Sequence, residues 1–388
     1  MGPLRILVVG AGVSGIATAR GLLRDGHDVT VFDQRPDVTA GGGAVTIWSN
    51  GATVLDQLGV DMTGAGQILS AVRVTTASGR PLSTVDLDAM VARLGAPIRM
   101  VPRRVLLERL LTGFPADRIQ CGARAVAVTH SGDGVRVSLQ DGSAVTGDVL
   151  IGADGLHSVV RDIVGAPAAE PTGWCSWQGL VSLPRIAEPR VARMMIGQHG
   201  NLGLWPAGGT ELQWWFDLPW APGFVRPQRP IETIRRHFTG WSDLVDEVLG
   251  TLTDDDLAPS PFPHFRHPIP PTGAGAVTLL GDAAHTMPPT LAQGTNQALL
   301  DAMVLRKALA ESTDVVGALR HYENTRRRKV AAVSWVTMQQ VSRSEAALRP
   351  AALVPNRVMT WALTRFLGWA SHRDIAAEVN AAGLAEVR

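Results

Sequence analysis

The sequence has little cysteine, little charge and no long apolar run, and each shortage excludes a class of protein. Two cysteines, Cys121 and Cys175, among 388 residues are too few for a disulfide framework, so we expect a reducing, cytoplasmic setting. With 36 basic and 35 acidic residues the net charge is +1, and the basic cluster at residues 326–329 is typical of a solvated helix face rather than a nucleic-acid site. No apolar stretch approaches the roughly 18 residues of a membrane span. A cleavable leader and metal-ligand spacing are also missing, so we expect no stable membrane association and no metal.

Tyrosine is nearly absent, whereas tryptophan is unusually common. One tyrosine, Tyr322, stands against eleven tryptophans, and seven of these lie between residues 174 and 241. Tryptophan brings a large, flat, apolar surface with a single donor, which suits core packing and a pocket for a flat apolar ligand equally well. With 45% hydrophobic residues, the chain can fill one large domain or two fused ones. We expect a monomer or a homodimer.

The chain opens with a strand, a helix and a second strand. The apolar run at residues 4–9 predicts a buried strand, residues 13–25 carry apolar side chains at helical spacing, and residues 28–32 predict another buried strand. This order is that of a βαβ unit, whose two strands run parallel.

β structure then interrupts this fold, and helices end the chain. We predict a hairpin at 72–85, a helix at 105–111, a three-stranded meander at 124–151, and a half-exposed antiparallel sheet at 174–218. Proline-rich linkers follow at 219–230 and 259–271, then a buried strand at 277–280, and helix from 293 onward with one break near Pro350 and Pro355. The sequence therefore predicts a nucleotide-binding fold, an inserted β layer and a return to the first fold.

A glycine motif joins the first strand to the first helix. Gly10 permits a tight turn, Gly12 lets the backbone approach a pyrophosphate, and Gly15 lets helix and strand pack closely. The helix N-terminus adds amide donors and a partial positive charge. Asp33 ends the second strand, where an acid would hold ribose hydroxyls, and Arg35 follows it. The motif predicts a dinucleotide site and does not by itself distinguish NAD from FAD.

Two later segments make the prediction more specific. Residues 150–161 include the run Gly-Ala-Asp154-Gly155 and end in Arg161, and residues 279–289 include Gly-Asp282-Ala-Ala-His and end in Pro289. With the glycine motif, in this order and spacing, they resemble the three signatures of the single-component FAD-dependent aromatic hydroxylases, or group A flavoprotein monooxygenases, typified by para-hydroxybenzoate hydroxylase. The resemblance runs from residue 4 to about residue 330.

The resemblance implies an α/β fold with three parts. These are a Rossmann-like FAD-binding domain of the GR2 type, an inserted antiparallel β-sheet substrate domain, and C-terminal helices. The FAD-binding domain would comprise residues 1–70, 98–170 and 272–330, the substrate domain residues 71–97 and 171–271, and the C-terminal helical segment residues 331–388.

The resemblance also implies roles for individual residues. Asp282 would bind the ribityl or ribose side of FAD, and Asp154 would orient that region and take part in handling the pyridine nucleotide. Arg103 would begin a helix over FAD, amides of residues 294–296 would lie near the flavin pyrimidine, and Pro289 would line the cavity in front of the isoalloxazine. The expected cofactor-binding residues are Gly10, Gly12, Val13, Ser14, Gly15, Asp33, Gln34, Arg35, Arg103, Asp154, Gly281, Asp282, Pro289, Gly294, Thr295 and Asn296.

The implied activity is a monooxygenation. NADPH or NADH would reduce FAD, O₂ would give a flavin C4a-hydroperoxide, and an aromatic or polycyclic small molecule would be hydroxylated, in natural-product tailoring or aromatic catabolism. The protein would supply orientation and a dry cavity. Two positions depart from the family pattern: Ala292, where glycine is frequent, and Leu300, where an acid is frequent. Neither departure removes an assigned contact.

The inserted sheet is the expected substrate face. If strands alternate around residues 200–217, then Asn201, Trp205, Gln213 and Trp215 face the cavity. The opposite set, Leu204, Trp214 and Phe216, would then pack into the core, and a slip of one residue would reverse both sets. Of these residues and Pro289, we expect Pro289, Gln213 and Trp215 to act directly in catalysis.

Three histidines could supply a base for a phenol, and other enzyme classes share parts of the sequence pattern. His199, His264 and His267 are candidates for a base by residue type alone, and a structural role is favoured for each. His285 is expected to support the turn at Asp282. The main alternative is a reductase or oxidase on the same FAD scaffold, similar to prenyl reductases, that inserts no oxygen. A halogenase, a plain NAD dehydrogenase and a non-enzymatic FAD-binding protein fit the three signatures less well.

Overall fold

The computed structural model describes residues 2–39, 42–131, 134–198, 200–221, 223–257, 261–267, 273–341 and 353–371. In that part of the chain the strands are β1 (Arg5–Val9), β2 (Asp28–Asp33), β3 (Ala44–Ile47), β4 (Gln67–Ile68), β5 (Ala71–Thr76), β6 (Pro81–Asp86), β7 (Arg99–Pro102), β8 (Ile119–Cys121), β9 (Ala125–Ser131), β10 (Gly134–Leu139), β11 (Ala144–Gly147), β12 (Val149–Gly152), β13 (Glu170–Ser182), β14 (Val191–Ile196), β15 (Asn201–Gly208), β16 (Glu211–Pro219), β17 (Phe262–Arg266) and β18 (Val277–Leu279). The helices are α1 (Val13–Arg24), α2 (Ser49–Gln57), α3 (Leu87–Leu94), α4 (Arg103–Leu111), α5 (Val159–Ile163), α6 (Pro230–Phe238), α7 (Asp243–Thr251), α8 (Asp282–His285), α9 (Gly294–Glu311), α10 (Val315–Val341) and α11 (Asn356–Ala370).

A parallel sheet in the order β18-β12-β1-β2-β8 forms the Rossmann-like part of the fold. Strand β1 pairs in parallel with β2 on one side and with β12 on the other. Its apolar residues are buried on both faces: Ile6 and Val8 pack with helices α1 and α9, and Leu7 and Val9 pack with the sheet that contains β10. The predicted βαβ opening and the α/β class are confirmed.

The predicted meander is only partly right. Strands β9, β10 and β11 form a three-stranded antiparallel sheet, as expected. The third predicted strand, however, splits at Asp148, and its second half is β12 of the parallel sheet. The split is fixed by Arg5, whose N–H donates to the Asp148 carboxylate at 2.7 Å and whose carbonyl accepts the Asp148 N–H at 2.8 Å. The first half, Ala144–Gly147, is partly exposed, whereas the second half is the continuous buried run Val149–Gly152, and only Asp148 separates the two in sequence.

The inserted sheet has the order β17-β13-β16-β15-β14-β5-β6 in the described residues. All its pairs are antiparallel except β14 with β5. The predicted hairpin at 72–85 is confirmed as β5 and β6. The predicted linker at 259–271 is wrong for residues 262–266, which form β17. Pro263 has no N–H to donate, but β17 lies at the edge of the sheet, where a proline is tolerated.

The prediction that this sheet is half exposed is wrong for β15 and β16. Helices α6 and α7 cover one face, where Phe238 packs against Phe216 with ring centroids 4.9 Å apart. On the other face Trp205 and Trp215 belong to a cluster that includes Trp48 and Met100 from the cofactor-binding side. Strands β15 and β16 are therefore buried on both faces, which explains why tryptophan is concentrated there.

Three helices close the described chain. The helical region is broken between α9 and α10, which the sequence did not show, whereas the predicted break near Pro350 lies outside the described residues and Pro355 directly precedes α11. Helix α11 covers the edge of the inserted sheet, because Asn356 and Thr360 accept hydrogen bonds from the β6 amides of Thr84 and Asp86 at 2.8 and 3.0 Å. A small sheet of β3, β7 and β4 and the helix α3 were not predicted. Throughout the described ranges, none of the helices has the length and apolarity needed to cross a membrane.

The domain boundaries given above remain a proposal. The inserted sheet is built from residues 71–86 and 170–266, and the parallel sheet from segments on either side of them.

Candidate active site

The glycine turn after β1 is packed too tightly for any side chain. Gly10 has a φ of +105°, and its N–H donates to the Phe32 carbonyl at 2.7 Å. A Cβ at Gly10 would overlap the carbonyl of Ala153, and one at Gly15 would overlap the carbonyl of Gly10. The turn therefore joins the first signature to the second, because Ala153 directly precedes Asp154.

Helix α1 begins at this turn without a side-chain cap. Its N-cap residue is Gly12, which supplies no capping hydrogen bond. Amides at an uncapped helix N-terminus are left for a bound anion such as a pyrophosphate. Val13 and Ser14 form the first turn, so these predicted residues lie where a dinucleotide would bind.

Asp33 lies at the end of β2, beside the start of α1. Its carboxylate accepts hydrogen bonds from the Ala11 N–H at 2.7 Å and from the Arg35 guanidinium at 2.9 and 3.0 Å. Burial alone would raise the pKa of Asp33, but the bonds from Arg35 and Ala11 hold it below its ordinary value. Asp33 is thus an ionised carboxylate held in place by these bonds, and it is 7% exposed. Gln34, the next residue, is exposed.

The third signature lies against the first. Gly281 has a φ of +59°, and a Cβ there would lie 3.0 Å from Cβ and Oγ of Ser14. Asp282 follows and is exposed, and a Cβ on Gly294 would lie 3.7 Å from its Oδ1. Arg103 lies near both signatures: its guanidinium would be 3.7 Å from a Cβ on Gly12, and the charge of Asp282 opposes the lowering of its pKa by burial.

Asp154 has a different local role from Asp282. Its carboxylate accepts hydrogen bonds from the Ser158 hydroxyl at 2.5 Å and from the amides of Val159 and Val160 at 2.8 and 3.3 Å. It therefore caps the start of α5, and burial raises its pKa. Arg161, later in α5, donates to the Ala283 carbonyl at 2.9 Å and so ties the second signature to the third. A direct contact of Asp154 with a nucleotide stays a prediction.

A buried polar network supports the turn at Gly281. His285 Nε2 lies 2.6 Å from Asp301 Oδ2, which also accepts the Gly281 N–H at 2.9 Å. Arg326 Nε donates to the other oxygen of Asp301 at 2.6 Å, and its Nη2 donates to Gln297 Oε1 at 2.8 Å. His285 thus supports the turn, as expected, rather than presenting a base.

The loop before α9 is held by Asn296. Its amide donates to the carbonyls of Thr46 and Ala292, and its oxygen accepts the Trp48 N–H, all at 2.9 Å. The Asn296 side chain is fully buried and bonded to the protein, so only its backbone amide could contact a cofactor. Ala292 has a φ of +49°, a left-handed conformation that explains why glycine is frequent there in the family.

Pro289, Gly294 and Thr295 lie on the open side of the same loop. Pro289 is exposed and begins a short 3₁₀ turn at Pro289–Leu291, and α9 starts at Gly294 without a side-chain cap. The amides of Gly294 and Thr295 therefore point out of the helix N-terminus, where developing negative charge would be stabilised.

The register of the inserted sheet shows which of the predicted side chains share a face. Leu204, Trp214 and Phe216 pack with α6 and α7, as predicted for the core set. The other set, Asn201, Trp205, Gln213 and Trp215, therefore shares the opposite face, with Trp205 paired to Gln213. Trp205 and Trp215 have ring centroids 5.7 Å apart. Whether these four residues bind substrate stays a prediction.

Gln213 does not present a free amide to this face. Its Oε1 accepts the Ala44 N–H at 2.5 Å, and its Nε2 donates to the Trp214 carbonyl at 3.1 Å. The side chain is 1% exposed and touches Gly43. Our expectation that it acts directly on a reacting group is therefore replaced by a positioning contact with the loop before β3.

Sequence reasoning missed other residues of the same face. Asp217 is the cross-strand partner of Asn201, Gln178 is that of Trp215, and Ser176 pairs with Asp217 from β13. Asp217 could have been found, because it lies two residues after Trp215 and shares its parity. Ser176 and Gln178 could not, because nothing local relates β13 to β16.

The histidine candidates lie in different places. His264 belongs to β17 and its Nε2 lies 2.6 Å from the Ser176 hydroxyl. His267 accepts the Thr286 N–H at 3.1 Å, and burial with the charges of Arg161 and His285 lowers its pKa to about 3. It is therefore structural, while His199 lies outside the described residues. No group of acidic, histidine or cysteine side chains suited to a metal occurs in the described ranges.

The geometry fits a bound dinucleotide. The glycine contacts leave backbone in place of side chains, Asp33 and the exposed Asp282 supply carboxylates, and two uncapped helix starts supply amides. Gly10, Asp33 and Asp282 lie at the carboxyl ends of the parallel strands, where open α/β sheets bind ligands, and the start of α9 lies beside Asp282.

Comparisons with known proteins agree with this site. A family model described as "FAD binding domain" matches residues 4–337. An "FAD-dependent urate hydroxylase" from Klebsiella oxytoca is 31% identical over 331 residues, covering 83% of this chain and 86% of that protein. A "3-amino-4-hydroxybenzoate 2-monooxygenase" from Streptomyces platensis is 32% identical over 342 residues, covering 85% of each. The crystal structure of Klebsiella pneumoniae HpxO complexed with FAD and uric acid superposes with a TM-score of 0.82 at 26% identity, covering 94% of this chain and 96% of that one.

Proposed function

The chain belongs to the family of single-component FAD-dependent aromatic hydroxylases, and from this premise we propose that it hydroxylates a flat, largely uncharged ring compound with O₂ and NADPH or NADH. It is an FAD-dependent monooxygenase. Urate and 3-amino-4-hydroxybenzoate, named for two relatives, are flat ring compounds. The pyridine nucleotide is proposed from the family resemblance.

One observation carries the choice of substrate class. The face of β15 and β16 that looks toward the cofactor side bears Trp205, Trp215 and Gln213, and Trp48 packs into the same cluster. On this face, the described residues 213–217 of β16 and their register partners on β13 and β15 include no lysine or arginine. An indole-lined surface without a cation favours an apolar aromatic ligand over a carboxylate-bearing one.

The residues of the chain would divide the work as follows. Gly10, Gly12 and the start of α1 would hold the pyrophosphate, Asp33 the adenosine ribose, and Asp282 the ribityl or ribose side. When bound, FAD supplies the redox chemistry that takes electrons from the nicotinamide and activates oxygen.

Other groups of the chain would stabilise charge on the flavin, orient the substrate and exclude water. The amides of Gly294 and Thr295 would stabilise negative charge on the flavin pyrimidine. Trp205 and Trp215 would hold the ring of the substrate and exclude water, and Gln213 would fix the loop between the substrate face and the cofactor.

The test measures cofactor, oxygen and product together. The purified protein should be yellow with bound FAD, and NADPH or NADH oxidation should consume O₂ and accelerate with uncharged bicyclic and polycyclic aromatic compounds. Product should gain one oxygen atom from ¹⁸O₂. Nucleotide oxidation that reduces an added compound without consuming O₂ would contradict the proposal and support a reductase.

A further inference from the structure

Four polar side chains form a row across the sheet face that carries Trp215. Asn201, Asp217 and Ser176 are register partners on β15, β16 and β13. The Ser176 hydroxyl donates to Asp217 Oδ1, and it lies 2.6 Å from Nε2 of His264 on β17. The row belongs to none of the three cofactor signatures, and it lies at one end of the aromatic surface on which the proposed function rests.

Asp217 is the accessible member of the three bonded residues. Its side chain is 13% exposed, whereas Ser176 and His264 are each 2% exposed. Asp217 is the one ionisable side chain on this face among the described residues 213–217 of β16 and their register partners on β13 and β15. A ligand lying on Trp215 therefore meets one ionisable group, the Asp217 carboxyl, with the other two residues behind it.

The proton count fixes the direction of the hydrogen bonds. Because Ser176 donates its one hydroxyl proton to Asp217, His264 must donate its Nε2 proton to the Ser176 oxygen. Burial lowers the pKa of His264 to about 4, so its imidazole is neutral at pH 7. Burial raises the pKa of Asp217 to about 7, although the bond from Ser176 acts against this shift. A carboxyl group in this range can both take and return a proton at neutral pH.

Other titratable groups near the row are engaged elsewhere. The thiol of Cys175 points into the opposite face, and burial with the charge of Asp217 raises its pKa to about 12. Strand β15 has no titratable side chain. The charged groups of adjoining elements bind other partners: Glu170 on β13 with Arg266 on β17, Arg326 on α10 with Asp301, Lys329 on α10 over Trp369, and Arg235 on α6 with the carbonyls of Leu249 and Leu252.

We propose that Asp217 is a catalytic residue that accepts the hydrogen bond, and then the proton, of a hydroxyl group on the aromatic substrate. Ser176 and His264 are positioning residues that hold its carboxylate. The proton moves from the substrate oxygen to the carboxylate oxygen not bonded to Ser176, which leaves an electron-rich oxyanion on the ring. The same proton returns to the product oxygen, so the step consumes no further reactant. The substrate is thereby defined as a phenol-type compound.

The test is ligand binding to the FAD-loaded protein without nucleotide. The probes are 2-naphthol and its methyl ether, 2-methoxynaphthalene, and the dissociation constants are read from flavin absorbance between pH 5.5 and 8.5. An ionised carboxylate accepts a stronger hydrogen bond than a protonated one. We expect naphthol binding to tighten about 5- to 10-fold as the pH rises through the titration of Asp217. The methyl ether, which cannot donate, should show no such change.

Three variants of the row and one control outside it separate catalysis from structure. Asp217→Asn should bind naphthol with a flat pH profile. Ser176→Ala should move the midpoint to higher pH, because the Ser176 hydroxyl stabilises the ionised carboxylate, and Ser176→Thr should restore it. Glu170→Gln, a matched change of carboxylate to amide at the exposed end of the same sheet, should keep the wild-type profile.

The proposal is overturned if the two probes respond alike to pH, or if Asp217→Asn keeps the slope for naphthol. Should Asp217→Asn fail to fold, an unchanged midpoint in Ser176→Ala would overturn it instead. Failure of the proposed function is separate, because it appears as an absence of ligand-stimulated O₂ consumption, whereas these profiles need no turnover.

Discussion

The amide oxygen of Gln213 accepts the backbone N–H of Ala44 at 2.5 Å. The preceding residue, Gly43, accepts the N–H of Arg103 at 2.9 Å through its carbonyl. Gln213 of the inserted sheet is therefore joined, through Gly43 and Ala44, to Arg103, the first residue of α4. The aromatic face and the cofactor site are held in one arrangement by this contact.

Replacement of Gln213 with alanine should uncouple the reaction. The Ala44 N–H would lose its buried partner, at a cost of about 1–3 kcal/mol, and the loop would move or admit water. We expect a larger share of NADPH oxidation to end as H₂O₂, measured by peroxide formed per nucleotide consumed with a hydroxylated substrate. Gln140→Ala, at an exposed glutamine, is the control. Unchanged coupling in Gln213→Ala would show that the contact does not protect the reaction.

Replacement of Asp282 with alanine should weaken FAD binding. This exposed carboxylate lies beside Gly294 and close to the start of α1. A hydrogen bond to a charged group contributes about 1.5–3 kcal/mol, so FAD affinity should fall about 10- to 100-fold. The ratio of flavin to protein absorbance after dialysis measures the loss. Asp255→Ala, at an exposed turn aspartate, should retain FAD, and full retention by Asp282→Ala would remove this carboxylate from the site.

Replacement of Ala292 with glycine should stabilise the protein. Ala292 has a φ of +49°, and an L-residue in this region is strained by roughly 1–2 kcal/mol. Glycine removes the strain but gains entropy in the unfolded chain, so we expect a net gain of about 1 kcal/mol or less in the free energy of unfolding. Urea denaturation measures it.

The matched control has the opposite sign. Ala310 is exposed near the end of α9, so Ala310→Gly should destabilise by about 0.5–1 kcal/mol. A destabilising Ala292→Gly would mean that the methyl group of Ala292 makes a packing contact worth more than the backbone strain.

The cofactor side was predictable because its signals are local. Gly10, Asp33 and Gly281 each follow a buried apolar run, and parallel strands bring their carboxyl ends together. The sequence could therefore indicate which residues meet, although they lie far apart in the chain. The predicted parity of Trp205 and Trp215 also held, because alternation along a strand is a local property.

The contacts between parts were not predictable. Gln213 and Ala44 are 169 residues apart, and Asn296 bonds to Thr46 across 250 residues. Such contacts depend on how two surfaces meet, which leaves no periodic trace in either segment. The row of Ser176, Asp217 and His264 was missed for the same reason, because it crosses three strands that only the register aligns.

Asp301 should make stability depend on pH in the acid range. Burial alone would raise its pKa, but His285, Arg326 and the Gly281 N–H outweigh burial and lower it to about 2. Because the folded pKa lies below the ordinary value near 4, the ionised carboxylate stabilises the fold above about pH 4. This stabilisation is lost as the pH falls from about 4 to about 2.

The comparison of wild type with Asp301→Asn isolates this contribution. The variant keeps a similar shape but no titrating group, so other carboxylates cancel in the difference between the two proteins. We expect the difference in the free energy of unfolding, measured in urea, to shrink by about 2 kcal/mol between pH 6 and pH 2.5. Asp255→Asn, at an exposed turn, should match the wild type at both pH values. A difference that stays constant over this range would mean that Asp301 stabilises the turn at Gly281 through hydrogen bonds that do not need its charge.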